Sequence, residues 1–197
     1  TGDDDDSTPP GGSSQPIYAN SASTLFVVDP DPPYTVTSVG NFSGLSALSQ
    51  GITDIAIDNA GVMYAVGFWE VYRVDPTTAG LTLLRADTLP GEVFNSLTTR
   101  ADGTLLGGAG SSLFEIDPGT GARSSAASLG SWNLAGDVVG LPDGLLYCLV
   151  SSSGDEASPT SLVTLDLDSQ GIDPVGATGF GAMYGVAYHV PNDRIYG

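Results

Sequence analysis

Few residues in this chain can do chemistry, and their register along the chain is what draws attention to them. Asp54 and Asp137 each stand seven residues before a glycine, Gly61 and Gly144. Ser96 holds the same place, seven residues before Gly103, with Asn95 beside it. Oxygen donors that recur at one register can converge, and converging carboxylate and amide oxygens suit a hard cation such as Ca²⁺. Asp54, Asn95 and Asp137 are therefore the candidate metal ligands. A second set is aromatic. Trp69, Trp132, Phe180 and Tyr184 fall in or beside connections between apolar runs. Rings presented near carboxylates suit sugar faces, whose hydroxyls take hydrogen bonds, so these four are the candidate ligand-binding residues. The plainer reading stands beside both: such an Asp bonds neighbouring backbone, and such a Trp wedges between packed layers.

Several reactions are excluded by what is missing. His189 is the only histidine, so a multi-histidine metal site is out, and any Ser-His-Asp arrangement would rest on that one residue. No Gly-x-Ser-x-Gly elbow occurs. Gly107-Gly108-Ala109-Gly110 lacks the lysine of a phosphate loop and does not open a helix. Cys148 is the single cysteine and lies inside an apolar run, where an inert buried thiol is expected. No catalytic residue is assigned.

The elements that must position these groups repeat. In residues 51–92, Thr53–Asp58 alternates as a strand, and Asn59-Ala60-Gly61 makes a turn that closes on glycine. Val62–Val66 and Val71–Val74 are the next two strands, with Gly67-Phe68-Trp69-Glu70 between them. Asp75-Pro76-Thr77-Thr78 turns the chain into a fourth, Leu81–Leu84. The turn glycines Gly61, Gly103 and Gly144 are spaced by 42 and 41 residues. Third-strand signatures recur as Leu25–Pro30, Val71–Pro76 and Leu113–Pro118, with Leu162–Asp166 as a degenerate copy. A four-stranded unit of about 40–49 residues predicts an all-β fold, a β-propeller of four-stranded blades.

The Ile/Val-Asp-Pro-x-Thr-Gly pattern after a hydrophobic pair resembles bacterial extracellular propellers of the NHL/YVTN-like group, over residues 17–197. The resemblance implies a binding or scaffold module in most cases and an enzyme in a few. Lactonase-like propellers hold a divalent metal in the central channel, which Asp54, Asn95 and Asp137 would imitate in part. The repeat divides the chain into a linker, 1–16, a partial blade, 17–50, blades 51–92, 93–132 and 133–180, and a partial blade, 181–197. Both partial blades supply a second strand, which predicts an incomplete ring or a fragment of a larger propeller. Open strand edges would then serve self-assembly.

Net charge is −18, from 23 acidic residues against five arginines and no lysine. Nucleic acid is excluded as a partner, because little here could neutralise phosphates. No run reaches transmembrane length. The acidic, Pro/Gly/Ser-rich start resembles the tether behind the lipidated cysteine of a bacterial lipoprotein. The expectation is an exported protein, secreted, periplasmic or at the outer cell surface, with a lipid anchor upstream of residue 1. It binds a glycan or protein partner without catalysis. The alternatives are a lactonase-like hydrolase and a structural subunit of a surface assembly.

Overall fold

The computed structural model describes residues 16–86, 93–152, 159–181 and 183–196. Among them the chain is all-β, apart from one 3-10 turn at Val190–Asn192. The first sheet holds β1 (Ile17–Asn20), β2 (Thr24–Val28) and β3 (Val36–Asn41). Three four-stranded antiparallel sheets follow in chain order. One contains β4 (Asp54–Ile57), β5 (Met63–Val66), β6 (Glu70–Asp75) and β7 (Gly80–Ala86). The next contains β8 (Ser96–Thr99), β9 (Leu105–Ala109), β10 (Ser112–Ile116) and β11 (Arg123–Ser128). The third contains β12 (Asn133–Gly140), β13 (Leu146–Ser151), β14 (Pro159–Asp166) and β15 (Gly171–Gly181). A two-stranded sheet, β16 (Ala187–His189) and β17 (Arg194–Tyr196), ends the series. The first strands pack side by side, β4 on β8, β8 on β12 and β12 on β16. These are the blades of a β-propeller.

The turns form as their residue types require. Gly61, Gly103 and Gly144 all have positive φ, +80°, +91° and +87°, where a side chain would be strained. Strand β4 ends before Asp58, shorter than the alternation suggests, because Asp58 belongs to the turn: its Oδ1 accepts the Ala60 and Val62 amides. At the other turn of each blade Asp75 accepts the amide and hydroxyl of Thr77, and Asp117 does the same for Thr120. Those bonds hold both carboxyls below their ordinary range. Near the C-terminus the pattern loses its glycine, and Asp193 takes the left-handed conformation itself, at φ +50°.

The repeated hydrophobic pair of each third strand has a shared geometric role. Pairing with the fourth strand shifts register at Leu25/Phe26, Val71/Tyr72, Leu113/Phe114 and Leu162/Val163. A bulge at one place in every blade sharpens strand twist there. Side chains alternate across each sheet, so the cores lie between blades. Met63 and Ala65 of β5 join Leu25, Phe42 and Tyr72 on one side, while Tyr64 and Val66 join Phe94, Leu97 and Leu105 on the other. A third core gathers Leu106, Leu113, Leu134, Cys148 and Val163. With both faces covered, β5 and β9 are buried at every position.

Candidate functional site

Asp54 opens β4 and Asp137 lies in β12, in first strands of blades that have the β8–β11 blade between them. Their carboxyl groups nevertheless meet and hydrogen-bond to one another. A local irregularity in β12 accompanies this. Leu134 pairs with Val150 and Val138 with Cys148, so residues 135–137 face a single residue of β13. Such a bulge re-aims a side chain.

Each carboxyl is also tied to backbone. Asp54 accepts the Ile55 amide on Oδ1 at 2.8 Å and the Leu97 amide of the next blade on Oδ2 at 2.5 Å. Asp137 accepts the Val138 amide at 2.6 Å and the Val186 amide, just ahead of β16, at 3.1 Å. Both side chains are buried, at 9% and 6% exposure. Burial is the main cause that pushes Asp54 up to about 6, against the opposing pull of its hydrogen bonds to Asp137, Ile55 and Leu97. Burial and then the charge of Asp54 push Asp137 well above the carboxylate range.

The third member of that candidate set also bonds across blades. Asn95 donates through Nδ2 to the Leu134 carbonyl at 3.0 Å, which ties the β8 blade to the next one as Asp54 and Asp137 tie theirs. Ser96 occupies the true register position, but a Cβ on Gly108 would run into its Oγ and into Leu134. A small residue is all that this closely packed place accepts. The four carboxylate oxygens all accept amide hydrogens. Among the described residues, no three acidic, histidine or cysteine side chains group as metal ligands. Asn95 Oδ1, in contrast, is buried with no hydrogen-bond partner.

The aromatic residues share one end of their blades. Asn133 pairs with Ser151, and Pro159 with Gly181, at one end of the β12–β15 sheet. Trp132 directly precedes Asn133, Phe180 directly precedes Gly181, and Tyr184 follows three residues after Gly181. Trp69 lies at the corresponding end of β5 and β6, edge-on to Phe68 with centroids 5.9 Å apart. Phe180 and Tyr184 are 65% and 58% exposed, whereas Trp132 packs partly on the core between blades. Phe180 sits on the long strand β15 itself. Asp155 and Glu156 lie outside the described residues.

Glu70 was legible only as part of a loop and is the residue that the sequence reading passed over. It is fully buried. Its Oε1 accepts the Ser46 hydroxyl at 2.8 Å and its Oε2 the Trp69 amide at 3.2 Å. Gly67 leaves the room it needs, since a Cβ there would come within 2.5 Å of Oε2. The one available signal is that glycine, three residues ahead in a tight turn.

No protein-family profile matches the chain, and no curated protein is similar to it in sequence. Solved structures are similar in fold. A Bacteroides thetaiotaomicron protein of unknown function superposes with a TM-score of 0.62 at 18% identity, covering 89% of this chain and 52% of its own. A chain of a nidogen–laminin complex gives 0.63 at 14% identity, covering 91% and 68%. An extracellular domain from B. thetaiotaomicron gives 0.54 at 11%, covering 91% and 24%. This chain thus spans about half the length of the first of these. They define it as a β-propeller by fold and leave its partner to the chemistry of the site.

Proposed function

We propose that this protein is an exported binding module that takes a glycan or a protein partner on the end carrying Trp69, Trp132, Phe180 and Tyr184. The observation that carries the reading is the placement of two exposed rings, Phe180 and Tyr184, at the same end as Trp132. Large exposed aromatics cost little conformational entropy on binding and present flat apolar faces with polar rims. The propeller neighbours include an extracellular domain and a chain from a protein complex, which supports both export and a binding role.

A glycan array followed by titration tests it. Phe180→Ala and Tyr184→Ala, at exposed positions, should each weaken binding about tenfold with little change in melting temperature. Trp69→Ala and Trp132→Ala should weaken it at least as much. Trp132→Ala should also lower the melting temperature, because that ring packs against Leu129 and its neighbours in the core. Wild-type affinity in all four variants would remove this face from consideration.

A further inference from the structure

We infer that β15 presents the Phe180 ring to a sugar through an added bulge, Thr178-Gly179-Phe180, with Thr178 as its positioning residue. The inference rests on the binding reading above and deepens it. In the first three sheets the third and fourth strands of the repeat shift register once, at Leu25/Phe26, Val71/Tyr72 and Leu113/Phe114. Strands β14 and β15 share that shift at Leu162/Val163 and add another between Pro159 and Ser161. There Ser161 pairs with Ala177 and Pro159 with Gly181, so residues 178–180 stand opposite Thr160 alone. Bulges re-aim side chains and are over-represented beside functional sites. The ring carried by this one is the most exposed large apolar side chain among the described residues, at 65%.

One side chain holds the bulge. The Thr178 hydroxyl donates to the Thr160 carbonyl at 2.9 Å, at the β14 residue that has no register partner in β15. Its oxygen accepts the Phe180 amide at 3.3 Å, and the Phe180 carbonyl lies 3.2 Å away as a second acceptor for its one hydrogen. Thr178 therefore bonds both the neighbouring strand and the residue that carries the ring. Gly179, between them, has φ +82°, and nothing lies within 4 Å of where its Cβ would stand. That glycine serves the backbone path and not close packing. The second exposed ring, Tyr184, stands on a tied segment as well. The Val186 amide donates to Asp137 at 3.1 Å, and the Met183 carbonyl leaves no room for a Cβ on Gly136.

Rings on tied backbone suit a rigid, flat-faced partner, because little freedom is left to lose on binding. Phe180 stands between Gly179 and Gly181, and Gly185 follows Tyr184. Rings set among glycines lack the contiguous apolar centre on which a protein hot spot depends. A pyranose instead meets a single ring with its C–H face and keeps its hydroxyls in water or on peptide groups. Of the two partner classes, the geometry points to the glycan.

The test is titration calorimetry of the full chain with cellohexaose, mannohexaose and chitohexaose. It compares wild type, Phe180→Ala, Thr178→Val, Thr178→Ser and the double variant Phe180→Ala/Thr178→Val. Wild type should bind at least one of these sugars. Thr178→Val should weaken that binding by about fivefold to tenfold, close to the effect of Phe180→Ala, and Thr178→Ser should stay within about twofold. In the Phe180→Ala background Thr178→Val should cost nothing further, because Thr178 acts through the ring. Wild-type affinity in Thr178→Val, or full additivity in the double variant, overturns the positioning role while the binding face stands. Wild-type affinity in Phe180→Ala sinks the face itself. Binding of none of the three sugars by wild type overturns the glycan assignment in favour of a protein partner. If Thr178→Val does not fold, amide hydrogen exchange in wild type decides. A Phe180 amide slowed about tenfold or more against a free peptide supports the held bulge, and exchange at the free-peptide rate overturns it.

Discussion

Tyr72→Ala should lower stability by about 3–5 kcal/mol, the range for emptying a large buried aromatic site. Tyr72 is wholly inaccessible and fills the core between the first two sheets, against Leu25, Phe42, Ile52 and Met63. It lies where the third strand shifts register against the fourth, so the ring is held by the bulge as well as by packing. Its hydroxyl accepts the Ser46 amide at 3.0 Å. Tyr72→Phe keeps the packing and removes only that acceptor, and should cost about 1–2 kcal/mol. Urea denaturation of both variants separates the two contributions. A Tyr72→Ala loss no greater than that of Tyr72→Phe would show that the site collapses without penalty.

Glu70→Leu should be nearly as damaging, at about 2–4 kcal/mol, for a different reason. The change strips the acceptor from the Ser46 hydroxyl and the Trp69 amide in a place without exposure. It also puts a branched side chain against Gly67 and the turn that this glycine makes possible. Glu70→Gln keeps one oxygen and the shape, and should recover most of the loss. Ser46 bonds both Glu70 and Tyr72, so Tyr72→Phe combined with Glu70→Leu should fall short of the sum of the single changes. Additivity within about 0.3 kcal/mol would show that the two contacts act independently. Trp69 fluorescence in Glu70→Leu would report whether its loop has moved.

The blades were legible because turn chemistry repeats with the same residues each time. Asp58, Asp75 and Asp117 close turns through their own side chains, and the positive φ of Gly61, Gly103 and Gly144 leaves little choice of residue. The register of Asp54 and Asp137 was legible for the same reason. Their partnership was not, since the contact spans a blade and depends on a three-residue bulge in β12 that no alternation pattern announces. Ser96 shows the limit most clearly. Its register invites comparison with the two aspartates, yet crowding by Leu134 at Gly108 decides what can stand there. Glu70 was hidden because a glutamate in a turn reads as solvated, and only the fold brings the Ser46 hydroxyl onto it.

Cys148 turns this architecture into a clock. Its thiol is inaccessible and pairs across the sheet with Val138, next to Asp137. A thiol reagent can reach it only when the sheet parts from its neighbours, and a reagent fast enough to outpace reclosing labels it at the rate of those openings. The chain has one cysteine, so the signal comes from a single position. A native, unmutated molecule thus carries its own measure of how often its blades separate, read as the time course of one covalent modification.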